Sequence, residues 1–87
     1  MRIDKFLKVS RLIKRRTLAQ QACAGGMITI NDKKAKAGTE VKVGDIIAIS
    51  IRGYYKKVKV LELKDTTVKA EADAMYETLF APDEKEN

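Results

Sequence analysis

The fold is decided by residues 1–26, MRIDKFLKVSRLIKRRTLAQQACAGG, in which a helical pattern of apolar side chains occurs twice. The first pattern has the i, i+3, i+4 and i+7 spacing of one helix face and comprises Ile3, Phe6, Leu7 and Ser10. Thr17 and Gln20 have the spacing of a capping box, which predicts the start of a second helix. Its predicted inner face comprises Leu18, Ala19, Ala22 and Cys23. Gly25 and Gly26 end it, one of them in the left-handed conformation. The segment therefore predicts two short helices joined by a basic turn.

After Met27 the apolar period changes from helical spacing to alternation, which is typical of strands. The first predicted strand ends at the turn Asn31-Asp32. Residues 46–51, IIAISI, are rich in β-branched side chains and predict a second strand with Ile47, Ile49 and Ile51 on one face. Gly53 predicts a turn into a further antiparallel strand within residues 54–63.

The last third of the chain predicts one more helix. Residues 65–67, DTT, offer candidate caps, and Pro82 stops the helix. Its apolar stripe comprises Val68, Ala72, Met75, Tyr76, Leu79 and Phe80. This stripe is expected to pack on the chain's own sheet, with a partner-binding face as the alternative. The predicted class is thus α+β: a domain at 1–63 with two short helices packed on a small, mostly antiparallel sheet, then a C-terminal amphipathic helix at 64–81 and a polar tail at 82–87.

Composition excludes several kinds of chemistry. The chain has 87 residues, no His and the single Cys23, which removes imidazole bases, Cys/His dyads and cysteine-rich zinc sites. We expect no catalytic residue, no metal and no cofactor, hence no enzyme. The longest apolar run, Ile46–Ile49, is too short for a membrane span, so no membrane partner and a cytoplasmic location are expected.

Charge is divided unequally along the chain. Residues 1–60 carry 15 Lys or Arg and 4 Asp or Glu, whereas residues 61–87 carry 3 and 8. The density is greatest in residues 2–16, where a single acid, Asp4, accompanies seven cations: Arg2, Lys5, Lys8, Arg11, Lys14, Arg15 and Arg16. Without interleaved acids these cations repel one another unless a polyanion binds, and this favours nucleic acid over an ordinary solvated helix face.

The basic turn predicts a phosphate site at the start of the second helix. Free backbone N–H groups and the helix dipole act there together with Arg15, Arg16 and the Thr17 hydroxyl. Asp4 is expected to cap a helix or to pair with an arginine, in preference to direct contact with RNA. Arg2 is interpreted as a phosphate ligand, with a frayed terminal charge as the alternative.

These residues resemble the alpha-L RNA-binding domain over residues 1 to about 52. The resemblance is carried by MRIDKFL at 1–7, Ser10-Arg11, KRRTLA at 14–19, GGMI at 25–28, Asn31, Lys36 and VGD at 43–45. With ELKDTT at 62–67 and Met75-Tyr76, the whole chain is similar to the RqcP family, which is related to the fifteen-kilodalton heat-shock protein. One departure is Asn31-Asp32, where the family often has Asn-Gly.

The resemblance implies a non-catalytic, ribosome-associated factor of bacterial ribosome quality control. Its implied partners are large-subunit rRNA, P-site tRNA and the obstructed large ribosomal subunit, with RqcH as a further candidate. It would support C-terminal alanine tailing of stalled chains and be a monomer off the ribosome. The residues expected to bind RNA are Arg2, Asp4, Lys5, Lys8, Arg11, Lys14, Arg15, Arg16 and Thr17.

Four alternatives stay open at this point. The same surface would suit a general large-subunit-binding heat-shock factor, or a factor of ribosome recycling or assembly. An RNA-modifying enzyme is disfavoured because the remainder of the chain is short and has no His. A protein-interaction module would use the C-terminal helix. A DNA-binding helix-turn-helix is disfavoured because Gln20 and Gln21 offer no cation to anchor the second helix in a groove.

Overall fold

The computed structural model describes residues 1–65 and 68–81, and within these ranges it consists of three helices and one five-stranded sheet. The helices are α1 Ile3–Val9, α2 Arg16–Ala24 and α3 Lys69–Asp73. The strands are β1 Ile28–Ile30, β2 Lys33–Lys34, β3 Ile46–Ile51, β4 Tyr54–Val60 and β5 Tyr76–Phe80. The sheet order is β2-β1-β3-β4-β5 with every neighbour antiparallel. The predicted α+β class is confirmed.

The core lies between the first two helices and one face of the sheet, which we call the inner face. Ile3, Phe6 and Leu7 of α1 are fully buried in one cluster with Ile47 and Val58, which pair across β3 and β4. Successive side chains of a strand point to opposite faces of the sheet. The residues that alternate with Ile47 and Val58, such as Ala48 and Lys57, therefore lie on the opposite face, which we call the outer face. Burial of the predicted α1 stripe, including Ser10, is confirmed.

The start of the chain is fastened to residues 37–41 before α1 begins. The Ile3 N–H donates to the Thr39 carbonyl at 2.8 Å, and the Val41 N–H donates to the Met1 carbonyl at 2.9 Å. Arg2 forms an antiparallel bridge with Glu40 and has extended backbone angles. The backbone of Arg2 is therefore held in place, and the frayed alternative for this residue does not apply.

Helix α2 begins differently from its prediction. Arg16 is its first residue and Arg15 its N-cap, and no side chain caps it, so the predicted Thr17–Gln20 capping box is wrong. Ala19, Ala22 and Cys23 are buried as predicted, but Leu18 is 45 % exposed, because it lies about 100° around the helix from Ala19. The predicted end is confirmed, since Gly26 has a φ of 74°.

The C-terminal helix predicted for 64–81 is the largest error. The helix covers only Lys69–Asp73, and Tyr76–Phe80 form the edge strand β5 instead. An open edge on β4 supplies backbone partners for this segment, whose Tyr, Thr and Phe side chains also suit a strand. Ala72 and Met75 are buried as core residues. The predicted stop at Pro82 and tail at 82–87 lie outside the described residues.

The Asn31-Asp32 turn forms a tight hairpin, although it lacks the glycine that the family often has at the second position. Ile30 and Lys33 pair across it, and Asn31 and Asp32 have φ of 50° and 70°. Both central residues are left-handed, as a type I′ turn requires. The following strand β2 was not predicted, because Lys33 and Lys34 carry no apolar alternation.

Replacing Asp32 by Gly should raise the stability of the protein. Glycine adopts positive φ without the steric cost that an aspartate meets, and we expect a gain of about 0.5–1 kcal/mol in the free energy of unfolding. The midpoint of thermal unfolding should rise by roughly 2–8 °C. Asp32→Asn controls for the lost charge and should gain less. An unchanged or lower midpoint for the glycine variant would contradict the strain argument.

Candidate nucleic-acid interface

The first two helices meet at the carboxylate of Asp4, which is fully buried on α1. Arg2 Nη2 donates to Asp4 Oδ2 at 3.2 Å from the extended segment before the helix. Arg16 approaches from the first turn of α2, with Nη2 3.3 Å from Oδ1 and Nε 3.3 Å from Oδ2. Gln20 Nε2, one turn further along α2, donates to Oδ2 at 3.0 Å. One carboxylate thus joins three segments of the chain.

Asp4 is ionised at neutral pH despite its burial. Burial acts to raise its pKa, because the charged form loses hydration. The hydrogen bonds from Gln20 and Arg16 and the charges of Arg16 and Arg2 act in the opposite direction and outweigh burial. The pKa of Asp4 therefore lies below its ordinary value of 3.8. Of the two roles expected for Asp4, the structure supports pairing with arginine, since Arg2 occupies the N-cap position.

The two guanidinium groups are held side by side without being hidden. The side chains of Arg2 and Arg16 are 53 % and 42 % exposed, while that of Asp4 is 0 % exposed. Arg16 uses two nitrogens on the carboxylate, a fork geometry that fixes the plane of the group. The pair carries two positive charges against one, so the surface above Asp4 remains positive.

Gln20 completes a group of four residues, Arg2, Asp4, Arg16 and Gln20, which we call the Asp4 cluster. The sequence spacing had predicted a helix-capping role for Gln20 instead. Arg16 and Gln20 stand four residues apart, so their side chains lie on the same face of α2. That spacing places both toward Asp4 once α1 packs against α2. The amide of Gln20 supplies a third, uncharged donor to the carboxylate beside the two guanidinium groups.

The remaining predicted residues are not gathered at Asp4. Lys5 Nζ lies 2.9 Å from Asp65 Oδ2, which links α1 to the segment before α3. The other predicted residues are all exposed: Lys8, Arg11, Lys14, Arg15 and Thr17. They belong to α1, to the turn after it and to the start of α2. Their part in binding stays a prediction.

Arg11 occupies a position at which a helix commonly ends in glycine. Its φ is 65°, directly after the C-cap Ser10. The Arg11 N–H donates to the Lys8 carbonyl at 3.0 Å, and the Ile13 N–H donates to the Leu7 carbonyl at 3.0 Å. These bonds reverse the chain into the basic turn and leave the Arg11 side chain exposed.

An open recess of about 560 Å³ lies next to Gln20 and extends the basic surface toward the β1–β2 hairpin. It is lined by Gln20, Cys23, Ala24, Gly25, Gly26, Lys34, Ala35, Lys36 and Ala37. Burial, and then the charge of Asp4, raise the pKa of the Cys23 thiol above its ordinary value of 9.0. The thiol is therefore protonated at neutral pH and poorly nucleophilic. Sequence reasoning did not include Lys34 in the surface.

Within residues 1–65 and 68–81, no three His, Cys, Asp or Glu side chains are grouped so that they could hold a metal ion. In the same part of the chain, no helix combines the length and the apolar character needed to cross a membrane.

The chain is similar to known proteins in both sequence and fold. Residues 1–47 match the S4 domain. The chain is 54 % identical over 79 residues to the RQC P-site tRNA stabilizing factor of Bacillus subtilis, with 91 % of this chain and 92 % of the relative covered. It is 53 % identical over 77 residues to the protein of that name from Halalkalibacterium halodurans, with 88 % of each covered. A trimeric structure of Heat Shock Protein 15 from Vibrio cholerae matches with a TM-score of 0.82 and 28 % identity, covering 90 % of this chain and 80 % of that one.

The Asp4 cluster predicts a specific acid sensitivity. Because the folded pKa of Asp4 lies below its unfolded value, its ionisation stabilises the fold above about pH 4, and this contribution is lost as the pH falls further. Asp4→Asn should lower the free energy of unfolding by about 1–3 kcal/mol at pH 6. The difference between wild type and variant should shrink toward pH 3, as measured by urea unfolding.

Glu40→Gln is a control at an exposed carboxylate. Its own pKa is lowered by a hydrogen bond from the N-terminal amine and by that charge. Its loss should leave the acid sensitivity due to Asp4 in place. An equal difference between wild type and Asp4→Asn at both pH values would contradict the assignment of that sensitivity to Asp4.

Proposed function

Because the chain belongs to the S4-domain family of RQC P-site tRNA stabilizing factors, we propose that it binds structured RNA on the large ribosomal subunit and stabilises P-site tRNA there. The observation that carries this proposal is the pair of half-exposed guanidinium groups that the buried Asp4 carboxylate holds together. The family names supply the ribosomal setting, and the geometry supplies a reason for RNA binding.

The cluster suits the backbone of folded RNA. A guanidinium fork can donate two hydrogen bonds to phosphate oxygens, and fixing it before binding lowers the entropic cost of ordering the side chain. The A-form duplex hides its base edges in a deep groove, so a protein contacts mainly phosphates and ribose. The exposed cations Lys8, Lys14 and Arg15 on and after α1 would extend the contact along the same strand of RNA.

The recess beside Gln20 supports a continuous binding surface. Lys34 and Lys36 place two further cations at its wall. We propose that phosphates crossing the Arg2–Arg16 pair continue toward these lysines. If about six phosphates are neutralised, log affinity should fall with log salt at a slope of roughly −4 to −5.

We propose large-subunit rRNA and P-site tRNA as the RNA partners, on large subunits obstructed by peptidyl-tRNA in the cytoplasm. The chain would act there as a monomer, together with RqcH, in support of C-terminal alanine tailing. We propose no catalytic role for the protein, and the Cys23 thiol is buried and, because burial raises its pKa, protonated at neutral pH.

A second candidate is a general heat-shock or recycling factor of the large subunit. The structural similarity to Heat Shock Protein 15 of Vibrio cholerae favours it. Both candidates use the same RNA-binding surface and differ in the particle that is bound.

Arg16 variants test the surface directly. Arg16→Ala should lower affinity for large subunits roughly 10- to 100-fold, because a charge-assisted contact and its fork are lost. Arg16→Lys keeps the charge without the fork and should recover part of the affinity. The measurement is sedimentation binding over a salt series, in which Arg16→Ala should also make the slope about 0.7–0.9 shallower.

Lys69→Ala is the charge-matched control. Lys69 is the exposed first residue of α3, outside the proposed surface, and its loss should change affinity little. If the Lys69 and Arg16 variants lost affinity equally, the loss would be due to the change in net charge alone, and this would contradict a binding site at Arg16.

Co-purification distinguishes the two candidate functions. Tagged protein recovered from cells with stalled translation should carry large subunits that retain peptidyl-tRNA, because the proposed role requires that tRNA. The particles are identified by gradient sedimentation and by probing for tRNA-linked peptide. Recovery of empty large subunits would favour the recycling factor, and recovery of free small subunits would overturn both.

A further inference from the structure

The outer face of the sheet carries an aromatic pair that the helix surface does not use. Tyr55 on β4 and Phe80 on β5 have ring centroids 5.4 Å apart, with ring planes inclined at 57°. Tyr55 is 38 % exposed and Phe80 is 54 % exposed. Leaving two rings in water forgoes the stabilisation that their burial would give, and nothing among the described residues covers them.

The strand positions paired next to these two rings carry serine, alanine and lysine. Register places Ser50 opposite Tyr55, and it places both Ala48 and Phe80 opposite Lys57. The short side chains leave the rings accessible from the side of β3. Lys59, two residues along the same strand as Lys57, adds a second cation on this face, and Glu77 lies opposite it as an acid.

Tyr55 and Phe80 are far apart in the sequence and are brought together by strand pairing. Tyr55 and Phe80 meet because β5 pairs with β4, with a register shift between Lys57 and Val58 that brings Phe80 opposite Lys57. We define the aromatic platform as Tyr55, Lys57 and Phe80. It lies on the face opposite to that on which α1 and α2 pack.

From this arrangement we infer that the aromatic platform binds unpaired bases of RNA. Bases stack on aromatic rings whatever their sequence, and lysines beside the rings pair with the phosphates that link the bases. A purely apolar protein partner would be less well matched, because Lys57 would have to be desolvated at the centre of such a contact. The inference rests on the proposed function and adds a second RNA-binding surface to it.

The two surfaces would divide the recognition of a folded RNA. The Asp4 cluster would hold the backbone of a duplex, and the platform would hold a loop, bulge or single-stranded end nearby. An RNA that contains both features should therefore bind more tightly than either feature alone, since the second contact becomes intramolecular.

Binding of hexaadenylate, a single strand, and of a blunt-ended RNA duplex to the full chain tests the inference. Tyr55→Leu and Phe80→Leu should each weaken hexaadenylate binding roughly 5- to 50-fold, since stacking is lost while an apolar side chain is kept. Both should leave duplex binding unchanged. Tyr54→Leu is the matched control, because Tyr54 is the adjacent tyrosine, is exposed to a similar extent, and pairs with Ile51 on the inner-face register.

A measurement on the unsubstituted protein tests the inference without requiring that any variant folds. In NMR titration with hexaadenylate, the backbone amide signals of Tyr55, Lys57 and Phe80 should shift more than those of Arg2 and Arg16, and the ring signals of Tyr55 and Phe80 should shift as well. Shifts confined to the Asp4 cluster, or equal losses for Tyr54→Leu and Tyr55→Leu, would overturn the inference. Arg16→Ala should weaken duplex binding and spare hexaadenylate binding, so failure of the proposed function and failure of the platform give different results.

Discussion

The ionised carboxylate of Asp4, buried under two arginines, is the constraint on which the basic end of the molecule depends. An unpaired charge in a protein interior costs several kcal/mol, so the three donors to Asp4 together offset the cost of burying its carboxylate. Those donors come from the segment before α1 and from two turns of α2. Satisfying one side chain therefore fixes the relative position of three parts of the chain. It also leaves two cations facing solvent, ready for an anion.

A second feature is the use of arginine where backbone geometry favours glycine. Arg11 and Arg52 have φ of 65° and 46°, a region in which side chains with a Cβ are strained. Arg11 terminates α1, and Arg52 lies in the turn between β3 and β4. At both positions an exposed arginine occupies a strained backbone conformation.

The sheet separates the packed core on its inner face from the exposed aromatic rings and lysines on its outer face. Its inner face is closed by α1 and α2 around Ile47 and Val58, and this closure holds the Asp4 cluster at the edge of the core. Its outer face has no cover among the described residues and carries aromatic rings together with lysines.

Local sequence determined the elements whose pattern is unambiguous. The α1 stripe, the glycine end of α2 and the β-branched strand β3 follow from spacing and composition alone, and so does the basic character of residues 2–16. The tertiary structure decided what depends on distant partners. Tyr76–Phe80 fits either a helix or a strand, and the open edge of β4 selects the strand. Gln20 fits a cap by its spacing, yet the buried charge of Asp4 captures its amide, because an ion deprived of water binds the donors within its reach.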